Sequence, residues 1–325
     1  MGRAQWGRRL VDSAAILVLC AGGLCAAPPG GVVIEDWALV GADDGGCTHL
    51  AFGGERQIIT AGNRLLVREG GADPFRASPV AGLNDAHSVV YNPRDKTYYV
   101  ADSGNHRLVA ILDPSRAEIA RTTTRLAGVA LDRPHDIVFD DATGWMYALN
   151  PNRVTLFRFK GFGEQESALD LSEHLGYSRA LSIVEGKVYV IGSSRGCVVA
   201  VDDFDARKFR VITSHGKRRD APAGSWTTTG LVLNDADFYR GFWYATSYFC
   251  PQYAAGTDCN ENKLIRFKTW IDFEAGRWDD LSSLLPRDIV PYYLTPRDGG
   301  LFLAAFYHEG KGGVGNVFRI TDRAP

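Results

Sequence analysis

HSVVYNPRDKTYYVADSGNHRLVAIL, residues 87–112, contains the pattern that decides the fold. Its first, middle and last parts are rich in Val, Ile and Tyr, as half-buried antiparallel strands are. They are separated by Asn92-Pro93-Arg94-Asp95 and by Asp102-Ser103-Gly104-Asn105, whose residues are those that tight turns prefer. The stretch therefore predicts a three-stranded meander, and one such meander cannot bury both of its faces.

The same order of strand, acidic turn, strand, Asn-bearing turn and strand recurs along the chain. Further copies begin near Thr48, His135, Arg179, Gly230 and Tyr292, mostly forty to fifty residues apart. This is the period of a four-stranded propeller blade. The pattern predicts an all-β, six-bladed β-propeller of four-stranded antiparallel blades, with only short helical patches such as 169–175 and 278–285.

The N-terminal strand is expected to close the ring of blades. Residues 32–40 alternate in polarity, whereas the last repeat ends at Thr321 with no fourth strand after it. Pairing of 32–40 with the outer edge of the last blade would join the two ends of the fold and remove an open sheet edge.

The turn after the second strand resembles the signature of NHL-repeat propellers. Residues 102–108 read DSGNHRL, and GNRL at 62–65 and NPNRV at 150–154 are degenerate versions. The resemblance implies a propeller over nearly all of the mature chain. The family includes a lyase that cleaves peptidyl-hydroxyglycine at a zinc held by channel histidines, and many proteins that only bind. The fold alone therefore does not choose a function.

Residues 1–27 have the pattern of a secretory signal. Arg3, Arg8 and Arg9 precede an apolar run at 14–24 that is too short and too rich in Gly for a good membrane span. We expect a secreted or periplasmic protein with one domain at 28–325 and no membrane span after signal removal.

Composition and motifs exclude several classes of function. The 325 residues have a formal net charge of −2, so a basic nucleic-acid footprint is not expected. The sequence has no Gly-rich phosphate loop, CxxC pair, HExxH helix or Ser-His-Asp arrangement, so nucleotide-binding and hydrolase classes lack a motif.

Four cysteines remain after the signal. Cys250 and Cys259 bracket a loop between two strands of one blade, where a disulfide is geometrically easy to form in an exported protein. Cys197 lies in an apolar strand and is expected to be a buried thiol. For Cys47 the sequence makes no prediction.

A ring of channel residues can be read from the repeat alignment, because first strands start on the face where second strands end. The aligned starts are Thr48, His87, His135, Arg179, Thr229 and Pro291, and the ends are Gly62, Asp102, Asn150, Ser193, Tyr248 and His308. His49 falls one position off, which turns it to the other face of its strand.

The ring is rich in groups that bind metals and anions. Imidazoles at equivalent positions could hold a divalent metal, zinc rather than calcium, with His87, His135 and His308 as ligands, or His49 if a bulge shifts its register. Histidines on adjacent blades depart from the lyase, whose metal histidines come from alternating blades. A calcium site would instead use the oxygen ligands Asn84, Asp85, Asp132 and Asn150.

Two functions of different class remain open. The first is a metal-assisted lyase or hydrolase acting on a small anionic or peptide-derived substrate, with Arg179 on the anion and Tyr248 or Tyr177 as general base. The second is a non-catalytic propeller that binds a protein, peptide or glycan at the same channel mouth. Its aromatic anchors would be Tyr248, Phe249, Tyr253, Tyr292 and Tyr293. Polar channel residues can also do no more than satisfy backbone groups.

Overall fold

The computed structural model describes residues 31–40, 46–71, 73–192, 196–214, 231–247, 263–287, 289–297, 299–307 and 315–322. The predicted signal segment, Thr229, Tyr248, His308 and the cysteine pair Cys250 and Cys259 lie outside these residues. In the described segments, no helix is both long enough and apolar enough to cross a membrane.

Within the described residues the strands form six four-stranded antiparallel sheets, one for each blade, which confirms the predicted fold. Blade 1 consists of β2 (Cys47–Gly53), β3 (Arg56–Ala61), β4 (Arg64–Arg68) and β5 (Arg76–Ala77). Blade 2 consists of β6 (Ala86–Asn92), β7 (Thr97–Asp102), β8 (Arg107–Ile111) and β9 (Arg121–Thr123). Blade 3 consists of β12 (Ile137–Phe139), β13 (Met146–Asn150), β14 (Thr155–Phe159) and β15 (Ser167–Asp170).

The remaining blades follow the same order, with the innermost strand first. Blade 4 consists of β16 (Ser178–Val184), β17 (Lys187–Gly192), β18 (Cys197–Asp203) and β19 (Lys208–Thr213). Blade 5 consists of β20 (Asp235–Tyr239), β21 (Phe242–Ser247), β22 (Lys263–Phe267) and β23 (Asp279–Asp280). Blade 6 consists of β24 (Ile289–Arg297), β25 (Gly300–Tyr307), β26 (Gly315–Asp322) and β1 (Val32–Val40).

The described elements outside the blades are short. The hairpin β10 (Arg125–Leu126) and β11 (Val129–Ala130) connects blades 2 and 3. One helix, α1 (Trp270–Glu274), and two 3-10 turns, Ser103–Asn105 and Ser282–Leu284, complete the described secondary structure.

The N-terminal strand β1 is the outer strand of the last sheet. It pairs antiparallel with β26 from Val32 opposite Asp322 to Val40 opposite Gly315. The two ends of the described fold therefore share one sheet, and β26 is not left as an open edge.

The helical prediction for 169–175 was wrong. Residues 167–170 form the fourth strand of blade 3, which pairs with β14, and a turn follows. Leu169, Leu171 and Leu175 are buried against blade 4. Three leucines at spacings of two and four fit both a strand followed by a turn and one helical turn, so the pattern could not choose. In 278–285 the structure has a two-residue strand and a 3-10 turn, and the helix lies earlier, at Trp270–Glu274.

The NHL-like signature in blade 2 has a structural role. The carboxylate of Asp102 accepts hydrogen bonds from the Asn84 N–H at 2.7 Å, the Asn105 amide at 2.9 Å and the Arg107 guanidinium at 2.6 Å. Gly104 lies so close to Asn84 that a Cβ atom there would stand 2.6 Å from its side-chain nitrogen. The signature thus ties the entry to blade 2 onto the turn that follows its second strand.

Polar side chains also tie each innermost strand to the next blade. An innermost strand is a sheet edge, so its channel-facing N–H groups need acceptors from outside its own sheet. At four of the blade junctions a side chain of the preceding blade provides one. The N–H groups of Val89, Ile137, Leu181 and Leu294 donate to His49, Ser88, Asp136 and Asp235, at 3.5, 3.0, 2.7 and 2.6 Å respectively.

Candidate functional site

β-Bulges present the ring residues to the channel. The pairing of the first and second strands skips one residue in blades 1, 2 and 4, and the skipped residues are Thr48, His87 and Arg179. In blade 6 the skip is longer and contains Tyr292 and Tyr293. A bulge re-aims the side chain that it contains, so the same local feature recurs around the end of the channel where the first strands begin. We call this end of the channel the ring end.

A chain of hydrogen bonds joins three blades at the ring end. The Nη1 atom of Arg179 donates to the hydroxyl of Tyr292 at 3.2 Å. That hydroxyl lies 3.2 Å from Nδ1 of His87. Because a guanidinium can only donate, the hydroxyl accepts from Arg179.

The other nitrogen of His87 faces a carboxylate. Nε2 lies 3.5 Å from Oδ2 of Asp85, and Nη2 of Arg133 lies 2.5 Å from the same oxygen. The hydrogen bond to His87 and the nearby charge of Arg133 lower the pKa of Asp85 to about 2. This partly exposed group of side chains is the polar mouth of the ring end.

His135 stacks on His87 but has a different role. The two rings lie 4.0 Å apart between centroids, with an interplanar angle of 20°. Nδ1 of His135 lies 2.9 Å from the carbonyl of Arg179 and 2.8 Å from the hydroxyl of Tyr293, which donates to the same carbonyl at 2.6 Å. Nδ1 must therefore carry a proton.

Burial, followed by electrostatic interaction with His87 and Arg179, lowers the pKa of His135 well below the usual histidine value. The imidazole is 1% exposed and neutral. His135 is thus a buried residue that bonds the Arg179 carbonyl and the Tyr293 hydroxyl behind the polar mouth.

Tyr177 lies beside these groups. Its ring centroid is 6.0 Å from that of His135, and the guanidinium carbon of Arg179 is 5.4 Å from it. Burial raises the pKa of Tyr177. The phenol therefore keeps its proton at neutral pH and can donate a hydrogen bond; the role of general base that the sequence suggested stays a prediction.

Three residues that were predicted as ligands contact other groups of the protein in the structure. The side chain of Asn150 accepts from the Asp132 N–H at 2.7 Å and donates to the Ala130 carbonyl at 3.0 Å, the same kind of link that Asp102 makes in blade 2. Asn84 uses its own N–H and carbonyl in the link to blade 2. The Asp132 carboxylate lies 3.3 Å from Nδ1 of His106.

A metal fits the described side chains poorly. Nitrogen lone pairs lie in the imidazole plane, so two rings stacked face to face do not aim them at one point. In the described part of the chain, no group of three or more His, Cys, Asp or Glu side chains is arranged to hold a metal ion. His308, the third predicted ligand, lies outside that part.

The repeat alignment misplaced the channel residues of the last two blades. In blade 5 the residue equivalent to His87 is Asn234, whose N–H donates to the Thr246 carbonyl at 2.8 Å, five positions after Thr229. In blade 6 it is Tyr292 and not Pro291. The sequence contained a signal for blade 5, since NDADF at 234–238 matches HDIVF at 135–139.

A second feature, which the sequence analysis missed, lies at the opposite end of the channel. A cavity of about 350 Å³ opens there between the turns that join first to second strands, at Gly54, Pro93, Asp141 and Arg297. We call this the hairpin end. The inner part of the cavity is lined by His49 and Tyr293. His49 thus faces away from His87, as its register predicted, and burial lowers its pKa to about 4.

Three buried aspartates line the same cavity. Burial raises the pKa of Asp136 to about 7 and those of Asp235 and Asp237 well above the usual value. Asp136 and Asp235 each accept two backbone N–H groups, one from their own strand and one from the next blade. These two carboxyl groups have a structural role that accounts for their burial.

Comparison with known proteins agrees with this architecture. Residues 83–111 match the NHL repeat family, and no curated protein matches the sequence. Similar solved folds include a chain of a nidogen/laminin complex, with 13% identity and TM-score 0.52 over 70% of this chain and 78% of that chain. They also include a Kuenenia stuttgartiensis hydrazine synthase chain, with 14% identity and TM-score 0.55 over 82% and 78%. A third is YCF48 bound to D1 peptide, with 10% identity and TM-score 0.54 over 91% and 98%.

At these identities the similarity shows the fold alone. The matched residues cover the first three strands of blade 2, and the other five blades repeat their order. The described residues thus form a six-bladed β-propeller whose second blade matches the NHL repeat model.

Proposed function

We propose that this propeller is a non-catalytic recognition protein that binds the carboxylate of a peptide or small-molecule ligand at the ring end of its channel. The observation that carries the proposal is the shared hydroxyl of Tyr292, which joins Arg179 and His87 at 3.2 Å each. Three blades thereby hold a cationic group, an imidazole and a phenol in one fixed arrangement. Such preorganised donors favour binding, because little conformational entropy is lost when the ligand arrives.

The charges at the mouth favour an anion. Arg133 and Arg179 place two guanidinium groups at the mouth, where Arg133 and His87 hold the Asp85 carboxylate. Guanidinium groups suit carboxylates well, since their planar donors match the spacing of the two oxygens.

The structural neighbours support a binding role. One similar propeller was solved bound to a peptide, and another in a complex between two proteins. These are properties of those proteins, and we extend them to this chain only as part of the proposal. A lyase or hydrolase is the weaker alternative, since the described residues contain no group of side chains arranged to hold a metal ion.

We also propose that the ligand is met outside the cytoplasm. The basic start and apolar run within residues 1–27 support export of the protein. N-terminal sequencing of protein recovered from the medium or periplasm tests this, and a mature protein that still begins at Met1 would contradict it.

The binding proposal is tested with a matched pair of probes. Hippurate carries a carboxylate beside an aromatic ring, and hippuramide is the same molecule with an uncharged amide. Calorimetric titration should detect binding of hippurate and no binding, or binding at least tenfold weaker, of hippuramide. Arg179→Ala should weaken hippurate binding by tenfold to a hundredfold, as expected for a charge-assisted hydrogen bond.

Arg116→Ala is the control variant, because its side chain is 78% exposed and lies on the outside of blade 2. It removes the same charge from the protein but should leave hippurate binding unchanged. Equal affinity for acid and amide, or equal losses in Arg179→Ala and Arg116→Ala, would overturn the proposal.

A further inference from the structure

The carboxyl group of Asp237 is held differently from those of its two neighbours. Asp136 and Asp235 each accept two backbone N–H groups. Among the described residues, the group beside Asp237 is the hydroxyl of Ser182, and that hydroxyl donates its proton to the carbonyl of Ala236. A hydroxyl has one proton, which Asp237 has to share with that carbonyl, whereas each of the other two carboxyl groups has two donors of its own.

Asp237 lines the cavity at the hairpin end and is 8% exposed. No lysine, arginine or histidine in the described segments forms an ion pair with Asp136, Asp235 or Asp237. An acidic side chain that faces a cavity without a counter-ion needs an explanation, since burial of an unpaired charge is costly.

The walls of the cavity indicate what could supply the missing charge. A metal ion does not fit, because the described carboxylates are not grouped to ligate one. The lining is partly apolar, with Phe52, Tyr91 and Phe139 among its residues. A ligand that combines a positive charge with an apolar body would satisfy both Asp237 and these walls.

We propose that the cavity at the hairpin end binds the ammonium group of an organic amine, with Asp237 as its counter-ion. The ammonium group donates to the Asp237 carboxylate, and its alkyl part lies against the aromatic and aliphatic wall. The volume of about 350 Å³ lies in the range of small-molecule pockets. This site is separate from the ring end, because His87, Arg179 and Tyr292 are not among the residues that line the cavity.

The ammonium group could belong to a free amine or to a lysine side chain of a partner. Both sources have one chemistry, and two probes separate them. n-Butylammonium represents the free amine, and Nα-acetyl-lysine methylamide represents a lysine within a peptide. n-Butanol and butyrate are the neutral and anionic counterparts of the first probe.

Calorimetric titration near pH 8 should detect binding of n-butylammonium and no binding of butanol or butyrate. If the lysine derivative binds equally well, a peptide is the source; if only the free amine binds, a small molecule is the source. Asp237→Asn, which keeps the shape of the side chain, should weaken binding at least tenfold. Asp205→Asn removes an exposed carboxylate that does not line the cavity and should change the affinity less than twofold.

A second variant keeps the proposal testable if Asp237→Asn does not fold. Val90 lines the cavity and is only partly buried, so Val90→Phe should fill space and block the probe without changing any charge. Arg179→Ala should leave amine binding intact, which separates this site from the ring end. Binding of butanol as tightly as n-butylammonium, or no binding of either amine to the wild-type protein, would overturn the proposal.

Discussion

The Nδ1 atom of His135 lies 2.8 Å from the hydroxyl of Tyr293, although the two residues are 158 positions apart in the chain. His135 precedes the first strand of blade 3, and Tyr293 lies in the bulge of blade 6. In a ring of six blades these two are opposite each other, so the contact spans the channel. It divides the channel into the polar mouth at the ring end and the acidic cavity at the hairpin end.

Removal of the Tyr293 hydroxyl should loosen this contact without abolishing the fold. Tyr293→Phe leaves His135 bonded to the Arg179 carbonyl at 2.9 Å and removes one buried donor. We expect a loss of about 1–2 kcal/mol in the free energy of unfolding, measured by urea denaturation. Tyr292→Phe is the matched comparison and should weaken hippurate binding more than it lowers stability. A larger effect of Tyr293→Phe on binding than on stability would contradict the division of roles.

The donor geometry at the ring end should matter as much as the charge. Arg179→Lys keeps the positive charge but replaces a planar guanidinium with a single ammonium group. We expect the lysine variant to bind hippurate at least fivefold more weakly than the wild type, but more tightly than Arg179→Ala does. Isothermal titration measures both variants. Full affinity in the lysine variant would mean that charge alone is recognised.

Stability should depend on pH through Asp136. Burial raises its pKa from 3.8 to about 7, so the folded protein holds a proton that the unfolded chain releases. The stabilisation from this proton is complete below about pH 4. As the pH rises from there to 7, the free energy of unfolding falls by at most about 1.4 kcal/mol per pH unit. His49 and His135 act in the opposite direction. Their lowered pKa values cost stability as the pH falls below 6.5.

Asp136→Asn isolates this contribution. The amide cannot ionise, and it has one oxygen where the carboxyl group serves the N–H groups of Ile137 and Leu181. The variant should therefore be destabilised at pH 5 and less so at pH 8, as measured by urea denaturation at both values. Asp205→Asn is the control, because Arg158 lowers the pKa of this exposed residue and it is ionised at both values. An equal cost of Asp136→Asn at pH 5 and pH 8 would contradict the raised pKa.

The blades were predictable from sequence because period-two alternation and turn residues are local signals. His87 and Arg179 were found for the same reason, since their blades have equal first-strand lengths before the turn. Tyr292 was misaligned because the bulge of blade 6 contains two residues, and a bulge leaves no mark in the alternation. The cavity depends on how far side chains from all six blades extend into the channel. No repeat alignment contains that information.

The closing strand can be tested by a cross-link. Val33 of β1 pairs directly with Thr321 of β26. Val33→Cys with Thr321→Cys should form a disulfide on mild oxidation and raise the free energy of unfolding, by up to about 5 kcal/mol in the chain-entropy model of a long loop. Val33→Cys with Ile320→Cys is out of register by one residue, which turns one side chain to the other face, and should not cross-link. Equal cross-linking of both pairs would argue against this register.

The cysteines provide the last test. Cys47 and Cys197 are buried thiols, and burial raises the pKa of Cys47 to about 12, so neither should react with a thiol reagent in the native protein. Cys250 and Cys259 lie outside the described residues, and their bridge stays a prediction from spacing and export. If it forms, exported protein unfolded without reductant should label at Cys47 and Cys197 alone, and all four cysteines should label after reduction.

Peptide mapping by mass spectrometry identifies the labelled positions. The closed loop is short, so reduction should cost only about 2–3 kcal/mol of stability and leave the propeller folded. Cys250→Ser with Cys259→Ser is the matched variant and should be insensitive to reductant. Labelling of all four cysteines before reduction would show that no bridge forms, and labelling of Cys47 in the native protein would contradict its burial between blades 1 and 6.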